Sequence, residues 1–269
     1  MHIPSLTRPK AKGNGVVVDI GGSGTRVAQV LDGVINEVRS PNVSSIDELA
    51  EAISETSGRI EGVGVSVTGR VDVDSGVVKF SRDAAWVEGP LRARLTEALR
   101  TRVSLIENGD AHALAMSLIP GVEYGGIAVS LGNTLSFGAV DRHGALIRPC
   151  SEFGWNLGHW RVVDRETNTE AWWALGGNGL YDLERQYGDR AAERFGQRVG
   201  GFLVDAILLF QPNTVLLGGG IVTSIESALH TPVNEAMQTL PVSIDPPRVV
   251  YSPSRHTALF GAAALAGLR

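Results

Sequence analysis

The chain has 269 residues, 43% of them hydrophobic and 20% charged, and its 24 Lys and Arg against 29 Asp and Glu leave a formal charge of −5. The length allows one large domain or two lobes with a sizeable core. The acidic balance argues against whole-surface binding of nucleic acid, and the single cysteine, Cys150, rules out an intrachain disulfide or a multi-cysteine zinc site.

Met1 to Gly15 lacks the apolar run of a signal peptide, and no stretch has the uninterrupted apolar length of a bilayer span. The expectation is a cytoplasmic protein with neither membrane nor nucleic-acid partners. Val16 to Val18 then reads as a strand that stops at Asp19-Ile20-Gly21-Gly22-Ser23-Gly24-Thr25, and Val27 to Leu31 as its hairpin partner. Ser45 to Ser57 has helical spacing, with Ser45 as cap, Glu48 completing a capping box and Gly58 as the stop. Gly62 to Val67 is a buried strand, Gly76 to Phe80 a hairpin arm, and Pro90 to Arg100 an amphipathic helix.

Val103 to Ile106 is the next strand and runs into Glu107-Asn108-Gly109-Asp110, with a helix from Ala111 to Leu118 closed by Pro120-Gly121. Gly126 to Leu131 and Phe137 to Val140 form a second hairpin around Gly132-Asn133-Thr134, so the second half opens like the first. Helices are expected over Leu180 to Tyr187, Asp189 to Phe210 and Thr257 to Leu268, with a buried strand at Val215 to Leu217 before Gly218-Gly219-Gly220. The class is α/β, and the strand–turn–strand repetition points to two related lobes.

Asp19 faces a turn with three glycines and two hydroxyls, which lets backbone N–H groups approach an anion. The same turn also fits a tight hairpin that binds nothing. It is neither a Walker loop nor a dinucleotide fingerprint. Trp155, Trp160, Trp172 and Trp173 lie close in sequence to His159 and Glu170, a composition suited to a pyranose ring or to plain core. Adjacent Trp172 and Trp173 on one helix must point in different directions.

The three glycine turns, in this order after buried strands, resemble the actin, sugar kinase and Hsp70 architecture, and within it the ROK family of bacterial sugar kinases and regulators. Gly62 to Asp72, Trp86 with Pro90-Leu91, Gly158-His159, Pro212 to Gly220 and Gly261 to Ala264 carry the likeness over nearly the whole chain. It implies a two-lobed actin-like ATPase (ribonuclease H-like) fold with a duplicated βββαβα-type core, lobes at 1–118 and 119–269, and a last helix packing back on the first lobe. It also implies transfer of the γ-phosphoryl group of ATP, with Mg²⁺, to a hexose or amino-sugar hydroxyl, with polyphosphate or another phosphoryl donor left open; relatives dimerise through the second lobe, and the sequence leaves monomer and homodimer both open.

Residue by residue, the resemblance places Asp19, Gly21, Gly22, Ser23, Gly24, Thr25, Gly132, Asn133, Thr134, Gly218, Gly219 and Gly220 at phosphates, with Asp19 also at Mg²⁺, directly or through water. Gly69, Asp83, Asn108, Asn156, His159 and Glu170 fall at the sugar. Gapless alignment sets Glu107 and Asn108 where the family has Asn-Asp, so an amide stands at the family's catalytic aspartate, and after a one-residue shift Asp110, or less readily Glu107, becomes the candidate base. Asn156 replaces the family's glutamate, Phe137 follows the second turn where a small residue is usual, and the cysteine-rich zinc loop is absent. The alternative to a kinase is a catalytically impaired homologue that binds sugar or nucleotide as a sensor. A repressor of the same family would carry about sixty residues of helix-turn-helix module before the first turn; with that turn opening at Asp19, the expectation is a chain without one.

Overall fold

The computed structural model describes residues 13–56, 60–119, 122, 125–149, 154–163 and 168–268; the expected stops at Gly58 and Pro120-Gly121 lie outside them. In the first half come β1 (Gly15–Gly21), β2 (Gly24–Leu31), β3 (Val34–Arg39), α1 (Ile46–Ser54), β4 (Val63–Val67), β5 (Arg70–Asp72), β6 (Val77–Phe80), α2 (Leu91–Leu99), β7 (Val103–Glu107) and α3 (Asn108–Ala115). The second half holds β8 (Gly126–Leu131), β9 (Leu135–Val140), β10 (Leu146–Ile147), β11 (Arg161–Val163), β12 (Asn168–Glu170), α4 (Ala171–Ala174), α5 (Gly177–Tyr187), α6 (Ala191–Phe210), β13 (Thr214–Gly218), α7 (Gly220–Met237), β14 (Arg248–Tyr251) and α8 (Thr257–Ala266).

Two five-stranded sheets carry the fold, ordered β3-β2-β1-β4-β7 and β10-β9-β8-β13-β14. In each, a leading hairpin is antiparallel and the two following strands add in parallel. The two sheets thus repeat one topology, and in each the turn of the first hairpin and the C-terminal ends of the parallel strands lie at the same edge.

Strand β1 is apolar on both faces because both are covered. Val16, Val18 and Ile20 pack with Leu49 and Ile53 of α1 and Leu91 and Leu95 of α2. Val17 packs with Ala28 and Val30 against Leu259, Ala262 and Ala263 of α8. The last helix therefore sits on the first sheet, although its chain arrives from β14 of the second. At α1, Ser45 Oγ accepts the Glu48 amide at 3.2 Å, while the Glu48 carboxylate reaches Ser44 N at 2.7 Å, one residue earlier than the expected box.

Helix α3 is the seam between the sheets. A Cβ at Gly109 would overlap the Phe137 carbonyl of β9, one at Gly138 the Gly109 carbonyl, and one at Gly261 of α8 the carbonyl of Ala111. Glycine at these contacts lets backbone meet backbone, and it fixes the first turn of α3 against the second sheet. This packing starts the helix at Asn108, three residues earlier than its composition suggests.

Candidate functional site

The β1–β2 turn spans Gly22-Ser23, and the antiparallel register above it pairs Asp19 with Arg26. Arg26 Nη1 donates to Asp19 Oδ2 at 3.1 Å and Nη2 to Ser23 Oγ at 2.6 Å. These groups line a cavity of about 320 Å³ with Gly21, Gly22, Gly132, Asn133, Thr134, Gly219, Gly220 and Arg255. Nine of the twelve residues expected at phosphates converge there. Gly24, Thr25 and Gly218 do not line it: Thr25 is buried in β2, and Gly218 lies against Ser252.

A larger cavity of about 610 Å³ adjoins it and is lined by Gly69, Asp83, Asn108, Asn156, His159 and Glu170, the six residues expected at the sugar. Trp155, Trp172, Phe80 and Phe137 supply apolar walls. Trp160 packs on Phe202 instead, and Trp173 is exposed, so two of the four clustered tryptophans face the cavity. Glu170 accepts from Trp172 Nε1 through Oε2 and faces His159 Nδ1 at 3.3 Å through Oε1; the Trp172 hydrogen bond first, then His159, hold its carboxyl below the usual range. Phe137 lines the larger cavity only, packed edge-on to Trp155, and stays clear of the smaller cavity beside Gly132-Asn133-Thr134.

The two cavities share Thr68, Asn108, Thr134 and Ser136. At this junction Asn108 donates through Nδ2 to Asp19 Oδ1 at 2.8 Å and to Ser66 Oγ at 3.2 Å. Burial pushes Asp19 above the ordinary carboxylate range, against the pull of Arg26. Asp19 is the expected Mg²⁺ residue, yet one oxygen is taken by Arg26 and the other by Asn108, so the residues present do not fit a directly bound cation. Among the described residues no cluster of three or more His, Cys, Asp or Glu could hold a metal.

Asp110, the candidate base, lines neither cavity. It points away from the junction to Arg148 Nη2 at 2.6 Å, and its Oδ1 has no hydrogen-bond partner among the described residues. Burial pushes its pKa up to about 6 despite Arg148. Glu107 does line the larger cavity, but its Oε1 accepts Val71 N at 2.8 Å and its carboxylate also holds the Gly154 amide; burial raises its pKa. His112, on the smaller cavity, is pushed down to about 4 by burial.

No family model and no curated protein matches the chain. Solved structures do. The ROK hexokinase from Thermus thermophilus aligns at 22% identity over 95% of this chain and 98% of that one, with a TM-score of 0.73. A ROK glucokinase from Streptomyces griseus, in complex with glucose and AMPPNP, aligns at 20% identity over 94% and 99%, TM-score 0.75. A ROK transcriptional regulator, homologue of the E. coli MLC protein, aligns at 16% over 96% and 80%, TM-score 0.79. The chain has the ROK fold.

On the ROK fold the site lies where the two sheets open toward each other. The residues that sequence reading did not single out are Arg26, Arg255 and Arg82. Arg26 was within reach: counting back from the glycine turn places it opposite Asp19. Arg82 Cζ stands 4.7 Å over the Trp172 ring, across the larger cavity, a contact between distant segments that no local pattern encodes. Among the described residues no helix is long and apolar enough to cross a membrane.

Proposed function

We propose that the protein binds a hexose or amino sugar in the larger cavity and the phosphates of ATP in the smaller one, as a ROK sugar-kinase homologue whose chemical step lacks a general base. The observation that carries this reading is Asn108 at the meeting point of the two cavities, with Asp110 turned to Arg148. An amide can accept a hydrogen bond from a sugar hydroxyl and orient it, but it cannot take the proton. Loss of a general base costs about 10²- to 10⁴-fold in rate. Slow transfer remains, because a loose phosphoryl transition state draws mainly on positioning and charge. The glucose and AMPPNP held by the Streptomyces griseus structure support the assignment of ligand classes to the two cavities.

Calorimetry of the full chain against a panel of hexoses and amino sugars, with ATP added, tests the reading. Sugar binding with slow product formation is expected; no binding of any sugar contradicts it. A second reading, a kinase at full rate, is favoured by one observation: Glu107 is a buried carboxylate on the wall of the larger cavity. Glu107→Gln separates the two. Unchanged turnover supports Glu107 as a strap for β5, whereas lost turnover with sugar affinity retained makes it the base.

A further inference from the structure

The smaller cavity carries its own cation. Arg26 is about one-fifth exposed and sits with Nη1 on Asp19 and Nη2 on Ser23, and each of these nitrogens has a second hydrogen directed elsewhere in the guanidinium plane. Arg255 lines the same cavity from the segment after β14, its Nε donating to His256 Nε2 at 3.2 Å, which leaves both terminal nitrogens outside that bond. Among the described lining residues there are thus two guanidiniums and one carboxylate, Asp19. That carboxylate is neutralised by Arg26 at 3.1 Å and capped on its other oxygen by Asn108 at 2.8 Å. Mg²⁺ demands near-octahedral oxygen ligands at close range, and at Asp19 it would have to displace one of these partners and sit beside a like charge.

We infer that the cavity takes the polyphosphate tail of a nucleotide without a divalent cation, Arg26 standing at Asp19 where a metal would stand and Arg255 adding the second positive charge. This rests on the reading of the smaller cavity as the phosphate site. Arginine suits the role because its planar fork meets two phosphate oxygens at once and stays charged at any working pH.

The test is calorimetric titration of the full chain with ATP in EDTA and in excess MgCl₂. The two dissociation constants are expected to agree within about threefold. In Arg26→Gln the affinity in EDTA is expected to fall about 10- to 100-fold, and MgCl₂ is expected to restore part of it, because Asp19 is released to bind the ion. Arg26→Lys, which keeps the charge but loses the fork, is expected to bind in EDTA more tightly than Arg26→Gln and less tightly than wild type. Wild-type binding that requires Mg²⁺ overturns this inference and leaves the proposed function standing, as does Arg26→Gln binding ATP in EDTA as tightly as wild type. Absence of ATP binding in both buffers, with sugar binding intact, overturns the phosphate-site reading together with the inference. Sugar binding by each variant reports that it has folded.

Discussion

At Asp110 two effects oppose one another: burial favours the neutral acid, and Arg148 at 2.6 Å favours the carboxylate. Burial wins, so the pKa rises from 3.8 to about 6. A group raised in the folded state contributes its stability below the unfolded pKa and loses it as pH climbs through the folded value. Wild type should therefore be most stable relative to Asp110→Asn below about pH 4, and should lose on the order of 3 kcal/mol of that difference by the time the pH passes 6. Urea unfolding of both proteins across this range checks it; a difference that is flat with pH contradicts it. The sequence left Asp110 and Asn108 as neighbours in one loop with either able to face the substrate. What separated them was the start of α3 at Asn108, and that is decided by contacts from the second sheet and from α8.

Those contacts belong to the scale of elements. Gly109, Gly138 and Gly261 bring α3 within backbone contact of β9 and α8. Gly109→Ala would drive a methyl group into the Phe137 carbonyl, and overpacking of this kind costs about 1–3 kcal/mol or more. The urea midpoint is expected to fall accordingly, with sugar affinity falling too because Asn108 moves; an unchanged midpoint would show that α3 is not held this way. Elements with a strong period or a clear glycine punctuation were legible: β1, β2, α1, β4, α2, β7, β8 and α6 all stand close to where their residues suggest. Three were not. Strand β3 has a register shift opposite Ala28-Gln29 and a positive φ at Glu37, which breaks its alternation. Strand β14 has only four residues and an exposed Arg248. Helix α7 is interrupted at Ile225 and contains Pro232, so no single 3.6-residue stripe runs through it. All three fill places in the second copy or the edge of a topology that the repetition already implied.

Across the whole molecule the site exists only because two copies of one sheet topology face each other. The six residues expected at the sugar come from five separate stretches between Gly69 and Glu170, and all six residues line one cavity. Motif order singled these residues out; their convergence depends on the packing of α3 between the sheets and on bridges such as Arg82 over Trp172, which no segment specifies alone. The fold therefore delivers a larger and a smaller cavity that meet at four residues, Asn108 among them. Asn108→Asp would put a carboxylate there facing Asp19, and like charges at that distance push one of the two pKa values up toward a working base. The decisive measurement is the rate of phosphorylated sugar formation by Asn108→Asp against wild type at saturating sugar and ATP. The account predicts that kcat rises about 10²- to 10⁴-fold with sugar affinity little changed; a wild type already at full rate, or a variant no faster than it, would contradict the account.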